Sequence, residues 1–386
     1  MDHASEVMAF VAARMDAAVT LLERLVAIES PSQDPVTHAP AFALLETELK
    51  RAGFAVRYLG GKNASRHMLA HPVARRKGRP LQLLLGHIDT VWPVGTLVDM
   101  PMHRDADQIA GPGAYDMKAG LVQALFALEA AYAVAGELEV TPVMLVNSDE
   151  EIGSHGSRRY IETLACRSCR AFVMEPSLGV DGRLKTARKG VGRYRITIRG
   201  KAAHAGLDPE GGVSAILELS HQIQKLFRLN DPEVGITVNV GVVDGGLQPN
   251  VIAPHSSAQV DVRVPTHAAA AKVDAAIRGL EPTTPGVTLE VEGRIGRPPM
   301  EPDEASRQLW CSAVEAAERL GFPLEQGAAG GGSDGNFTSQ FTPTLDGLGA
   351  VGDGAHAHHE HVLLDHMPRR TALLAMLLLA PPPSTH

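Results

Sequence analysis

Residues able to do chemistry are concentrated in five short stretches of this 386-residue chain. The first, Gly86-His87-Ile88-Asp89-Thr90, closes an apolar run. Alternate side chains of an extended segment share a face, so His87 and Asp89 point the same way. Asp89 can then fix the orientation and tautomer of a metal-bound His87; the plainer alternative is a strand-end histidine with a capping aspartate. In the second, Gly111-Pro-Gly-Ala-Tyr-Asp116-Met-Lys-Ala-Gly120, a glycine-rich turn opens a helix. Asp116 is there either an N-cap or a carboxylate shared by two cations. Lys118 reads as a surface residue of the first helical turn. The third, Asp149-Glu150-Glu151, follows a hydrophobic run directly. It is either a solvated turn or a pair of diverging glutamates, one on a metal and one facing an attacking water. The fourth, Met174-Glu175-Pro176, leaves an acid at the end of an apolar run, which is costly unless that acid is paired or metal-bound. The fifth is the tract His356-Ala-His358-His359-Glu360-His361, from which one histidine is expected as a ligand.

Together these stretches supply two histidines, three carboxylates and a spare glutamate. Nitrogen and carboxylate donors without thiolates suit zinc, with cobalt or manganese as alternatives. Two cations sharing a carboxylate polarise a carbonyl and acidify a water, which is amide-hydrolysis chemistry.

The elements that position these residues are legible in outline. Apolar spacing predicts a helix over 7–28, and Met117–Ala135 reads as a second one rich in Ala and Leu. Short apolar runs at 81–85, 143–146 and 171–174 read as buried strands, and their alternation with helices predicts an α/β layer with a largely parallel sheet. Ligands of such folds bind at the carboxyl ends of strands, where the chemical motifs stand. From Arg188 the texture changes. Period-two alternation over 193–199, strands near 236–243, 258–264 and 287–291, and helices over 213–229 and 268–280 predict an inserted α+β sandwich. The expected organisation is a catalytic domain in two parts, 1–188 and 299–386, around an insert at 189–298. The apolar stretch 372–380 reads as a buried helix, being far short of the ~20 residues that span a bilayer.

Composition removes other classes. Aromatics make up 4% and the formal charge is -8, so neither the stacking platform nor the basic footprint of a nucleic-acid binder is present. Three cysteines form no disulfide framework, and Cys166-x-x-Cys169 cannot complete a four-thiolate zinc site. Reduced thiols and an acidic start without a signal-peptide pattern predict a cytoplasmic protein, off the membrane.

The motifs GHIDTV, GPGAYDMKAG, NSDEEIGS, MEPS, GKAAHAG, GGGSDGNF and GAHAHHEHV, in this order between about residues 80 and 362, resemble those of a family of co-catalytic zinc peptidases. That family includes glutamate carboxypeptidases, acetylornithine deacetylase, succinyl-diaminopimelate desuccinylase and aminoacylases. The resemblance implies a zinc-exopeptidase-like α/β catalytic domain with a lid and dimerisation insert, two Zn2+ per chain, and a homodimer formed through the insert. It implies His87 and Glu175 on one zinc, Glu151 and His356 on the other, and Asp116 bridging both. His356 is chosen over His358 because it stands four residues before Glu360-x-Val. Glu150 would be the general base and Asp89 the partner of His87. His204, Asn250 and Arg263 match positions that grip the substrate, His204 often across the dimer. The Gly330–Gly335 loop would add backbone N–H groups to an anion site. The implied substrate is a small peptide or N-acyl amino acid. The loop ending in Asn336 favours release of a C-terminal, glutamate-like residue over the N-acyl-amino-acid deacylase alternative, because many acetylornithine-type members carry arginine there. A non-catalytic binding homologue is the remaining alternative.

Overall fold

The structure, a computed structural model, describes residues 3–61 and 65–382, so Met1-Asp2 and the end of the proline-rich tail lie outside it. The chain forms two compact units. Unit 1 comprises Met1–Ala187, Pro302–Ala329 and Ser333–His386, and unit 2 comprises Arg188–Glu301 with Gly330–Gly332.

Unit 1 is built on β3 (Leu81–His87), β6 (Thr141–Asn147) and β7 (Ser168–Val173). Their near-continuous apolar sequences are buried, as parallel strands covered on both faces require. Adding β1 (Phe54–Gly60), β2 (Arg66–Pro72) and β14 (Thr344–Leu345), the sheet order is β1-β2-β6-β3-β7-β14. Strands β6, β3, β7 and β14 are parallel, while β1 and β2 are antiparallel additions. The period-based reading did not find that hairpin, because histidines and arginines interrupt its apolar positions. Pairing of His87 with Asn147 aligns the carboxyl ends of β3 and β6.

Helices α1 (Ala4–Val26), α2 (Ala39–Arg51), α4 (Ala119–Ala135), α8 (Glu304–Arg319) and α10 (Met367–Leu379) enclose the main core. The apolar segment Ala114–Ala135 is long enough to cross a membrane, but 78% of its most apolar window is buried, as suits a core helix. Helices α5 (Arg158–Ala165) and α9 (Gly335–Thr338) contribute Ile161, Ala165 and Phe337 to a second core, with Leu83, Leu85 and Leu145. A short helix, α3 (Thr96–Asp99), lies in the connection after β3. Strands β4 (His103–Arg104), β5 (Gln108–Ala110), β15 (Gly352–Asp353) and β16 (His361–Leu363) make a small antiparallel sheet ordered β15-β16-β5-β4. It sets the histidine-rich loop beside the turn of Asp116, with Gly111 N donating to Glu360 O at 3.1 Å. Strands β8 (Leu184–Arg188) and β13 (Gln326–Ala329) form a two-stranded pair.

Two buried arginines fasten the late part of the chain. Arg370 of α10 donates to the carbonyls of Gly349 at 3.0 Å, Gly182 at 2.7 Å and Gly347. Arg170 of β7 binds Gln82 Oε1 at 2.8 Å and the carbonyls of Ala380 and Pro381 at 2.7 and 2.8 Å.

Unit 2 is an antiparallel sheet of β9 (Gly190–Arg199), β10 (Thr237–Gly245), β11 (His255–Val264) and β12 (Thr288–Arg297), ordered β10-β11-β9-β12. Alternate residues of β9 are buried, and Tyr194, Ile196 and Ile198 pack with Leu219 and Leu226 of α6 (Ala215–Phe227) and Val273 and Ile277 of α7 (His267–Arg278). Ser214 and Thr266 cap these helices, each side chain accepting from a backbone N–H three residues on.

Candidate metal centre

In unit 1 the carboxyl ends of β3, β6 and β7 and two loops converge on one cluster. His87 is the last residue of β3, and Glu150 and Glu151 follow β6. Glu175 follows β7. Asp116 lies in the irregular turn before α4, with φ -111° and ψ 94°, and is therefore no ordinary helix cap. His356 comes from the loop between β15 and β16 at φ 62°, the left-handed region that non-glycine residues seldom occupy.

Asp116 is the centre of the arrangement. Its Oδ1 lies 3.3 Å from His87 Nε2, and its Oδ2 lies 3.5 Å from His356 Nε2. His87 Nε2 is also 3.6 Å from Glu175 Oε1, and His356 Nε2 is 3.2 Å from Glu151 Oε2. One carboxylate thus faces two histidines, His87 beside Glu175 and His356 beside Glu151, and Glu151 also falls within 4.8 Å of His87 and Asp116. Glu150 joins His87 and Glu175 in a set whose ligand atoms lie within 4.8 Å of one another. His358 turns elsewhere, its ring 5.3 Å from that of Trp92.

The electrostatics reflect crowded acids. Burial pushes Glu151 up to about 7, reinforced by Asp116 and opposed by His356. Asp116 and Glu151 hold His356 up at about 10. Burial pushes His87 down, but Asp116, Asp89 and Glu175 outweigh it and raise the ring well above its ordinary value. Burial likewise raises Asp116, yet His356 and His87 pull it far below the carboxylate range.

The residues fit a pair of divalent cations on a structural ground. His87 Nε2 and Asp116 Oδ1 are buried and have no hydrogen-bond partner, although each faces the other. Buried polar atoms are seldom left so, and a cation between them satisfies both. The donor set is nitrogen and carboxylate only, the chemistry of zinc and its neighbours.

The surrounding residues fix the donors. His87 Nδ1 is 2.9 Å from the backbone O of Asp89, which leaves Nε2 for the cluster. Asp89, fully buried, accepts from Ser32 Oγ at 2.7 Å and from the backbone N–H groups of Glu150 and Glu151 at 3.3 Å. It therefore holds the glutamate turn as well as the histidine. Asp334 accepts from Asn147 Nδ2 at 2.6 Å and from Ser154 Oγ, bracing the same turn from behind. Glu360 accepts from Trp92 Nε1, Gly113 N, Tyr115 N and Asp116 N, all at 3.0 Å. Sequence reasoning named none of Ser32, Asp334 and Glu360 as functional, although Asp334 and Glu360 stand inside motifs it singled out.

One expectation is corrected and a second narrowed. Lys118 is no surface residue: it is 1% exposed, and its Nζ donates to Ile28 O at 2.8 Å and Pro112 O at 3.3 Å. Burial pulls its amine down to about 8. Within the Gly330–Gly335 loop, the N–H groups of Ser333 and Gly335 already serve Asn336 Oδ1 and Ser333 Oγ, so they are not open to an anion.

The remaining three candidates lie in unit 2. His204 and Asn250 are neighbours there: Ala205 N donates to Asn250 O at 2.9 Å, while His204 Nδ1 accepts from Gly206 N and Leu207 N, both at 3.1 Å. Arg263 of β11 makes a two-point pair with Asp261, at 2.7 and 3.1 Å.

Residues 83–380 match the sequence profile of peptidase family M20/M25/M40. Carboxypeptidase G2 of Pseudomonas sp. (strain RS-16) is 31% identical over 373 residues, covering 94% of this chain and 89% of the relative. Succinyl-diaminopimelate desuccinylase 2 of Shewanella loihica is 29% identical, covering 78% and 85%. Among solved structures, the YXEP protein of Bacillus subtilis, a dinuclear metal-binding peptidase from the M20 family, superposes with a TM-score of 0.67 at 17% identity, covering 95% and 98%.

Proposed function

The chain belongs to peptidase family M20/M25/M40, and from that premise we propose that it is a two-zinc carboxypeptidase releasing a C-terminal, glutamate-like amino acid from a peptidyl or N-acyl group. The observation that carries the two-metal reading is Asp116, whose two oxygens face two different histidines, each beside a glutamate. The likeness to carboxypeptidase G2 over nearly the whole chain supports the carboxypeptidase assignment.

His87 and Glu175 would hold one cation, His356 and Glu151 the other, and Asp116 both. When bound, the pair supplies Lewis acidity, polarising the scissile carbonyl and acidifying the attacking water. Glu150 takes the proton from that water and delivers it to the leaving amine nitrogen. Its backbone, tied to Asp89 Oδ1, keeps its carboxylate next to the His87 and Glu175 group. Asp89 holds the imidazole of His87 with Nε2 toward the cluster. His204, Asn250 and Arg263 serve substrate binding, with the guanidinium taking the α-carboxylate in a two-point pair. That role requires Arg263 to exchange Asp261 for substrate.

The chain is also assigned as a homodimer through unit 2. Edge strand β10 exposes Val242 and Val243, and α6 exposes Ile216 and Leu217, an apolar surface that a second copy would cover. Free thiols at Cys166, Cys169 and Cys311 favour a cytoplasmic location.

The test is hydrolysis by the zinc-loaded protein of N-acetyl, N-benzoyl and dipeptidyl derivatives of glutamate, ornithine and neutral amino acids, with metal measured on the same sample. Acyl- or peptidyl-glutamate cleaved fastest, with two zincs per chain, is the expected outcome. Preference for small acyl groups regardless of the amino acid would establish the deacylase reading, which the likeness to the desuccinylase supports. No cleavage at full metal loading would leave a binding protein.

A further inference from the structure

We infer that Glu360 is a positioning residue that prepares both metal sites at once. The inference rests on the two-metal reading above, and three observations carry it.

Glu360 is 1% exposed, and each carboxylate oxygen accepts two donors: Trp92 Nε1 and Gly113 N at Oε2, Tyr115 N and Asp116 N at Oε1. Three of the four are consecutive or near-consecutive amides of the turn that presents Asp116. Neutral side chains of the same shape cannot replace this. A glutamine has one acceptor oxygen, and its NH2 would face two donors.

Second, Glu360 closes the loop that presents His356. Glu360 N donates to Ala357 O at 3.0 Å, and Ala357 N to Gly354 O at 2.8 Å. Gly354, at φ 81°, approaches so closely that a Cβ there would lie 2.8 Å from Glu360 N and Cα. The chain therefore reaches Glu360 from His356 by one fixed route. The ligand carried by the loop and the ligand carried by the turn are registered against the same side chain.

Third, the turn is gripped from its other side as well. Lys118 Nζ holds the carbonyl of Pro112, the residue before Gly113. Amides go to an anion and a carbonyl goes to a cation, which leaves the Asp116 carboxylate as the group the turn projects into the cluster.

Because Asp116 is common to both cation sites, disturbing Glu360 weakens both together, whereas loss of His356 alone strips one. The test compares zinc stoichiometry after dialysis, and zinc affinity by chelator competition, for wild type, Glu360→Gln, Glu360→Asp, His356→Ala and Trp92→Phe, with circular dichroism confirming the fold. Glu360→Gln should lower zinc affinity about 10- to 100-fold at both sites, as outer partners of ligands commonly do. Its turnover should be restored by raising free zinc, a recovery that a misfolded variant would not show. Glu360→Asp should lie between Glu360→Gln and wild type. Trp92→Phe removes one donor of four and should keep both zincs. Two zincs retained at wild-type affinity in Glu360→Gln would overturn the inference. Loss of a single zinc, as in His356→Ala, would overturn the coupling of the sites. Wild type that takes up no zinc would overturn the two-metal reading, and the inference with it.

Discussion

Two acids, Glu218 of unit 2 and Asp116 of unit 1, are treated in opposite ways. In unit 2, Glu218 is fully buried and accepts from Gln222 Nε2 and from the backbone N–H groups of Thr283 and Thr284, at 2.9 and 2.6 Å for the last two. In unit 1, Asp116 Oδ1 is buried with no hydrogen-bond partner, and the groups nearest its carboxylate are histidines that themselves face glutamates. Even the protonation balance differs. Burial pushes Glu218 up, but its donors hold it below the ordinary carboxylate value, whereas Glu151 stands at about 7. Glu218 completes a structure, as Asp89 and Glu360 do in unit 1. The acids at the strand ends of unit 1 compete with one another until a cation joins them. Burial alone does not separate the two cases; the count of donors does.

The contrast can be broken by experiment, and the largest effect is metal removal. Chelation should abolish turnover and lower the thermal transition of unit 1 while leaving that of unit 2 in place. At zinc 100-fold above its dissociation constant, the stabilisation lost is about 2.7 kcal/mol. Equal shifts of both transitions would erase the distinction. Next, Glu150→Gln should reduce kcat by about 10²- to 10⁴-fold with both zincs retained. Near-normal turnover would remove Glu150 as the base.

How far the contrast was legible in the sequence depends on chain distance. His87, Asp89, Asp116, Glu150, Glu151 and Glu175 end apolar runs or occupy a glycine turn, so local pattern marked them. Glu360 meets Asp116 across 244 residues and Trp92 across 268, and no local pattern encodes such pairings. Lys118 shows the same limit from another side. Its place in the first helical turn suggested solvent, but the turn widens there and folds the amine onto carbonyls. The fold was readable where strands carry short unbroken apolar runs, as in β3, β6 and β7, and unreadable at β1 and β2, where histidines and arginines interrupt them.

Smaller effects should come from unit 2. Arg263→Ala should raise KM about tenfold for substrates with a free α-carboxylate, with kcat little changed. An unchanged KM would leave Arg263 as the partner of Asp261 alone. Glu218→Gln should cost about 1–3 kcal/mol of stability without altering zinc content or kcat. Because the folded pKa of Glu218 lies below its unfolded value, its contribution is present above the unfolded pKa and is lost as pH falls through the folded one. The variant's acid denaturation should therefore be flatter. A variant that loses zinc instead would show that the two kinds of acid are not separate.

The two arginine fastenings bear on the order of events at the ribosome. Unit 2 is nearly one continuous piece, Arg188–Glu301, and its sheet is complete once β12 emerges. Unit 1 is not complete until β14 and α10 arrive, because Arg370 of α10 fastens to the loop carbonyl of Gly182 and Arg170 of β7 to the carbonyls of Ala380 and Pro381. At about 5–20 residues per second, the inserted piece has several seconds to fold while the catalytic sheet still lacks an edge strand and a helix. The half of the enzyme translated first is thus the half that matures last.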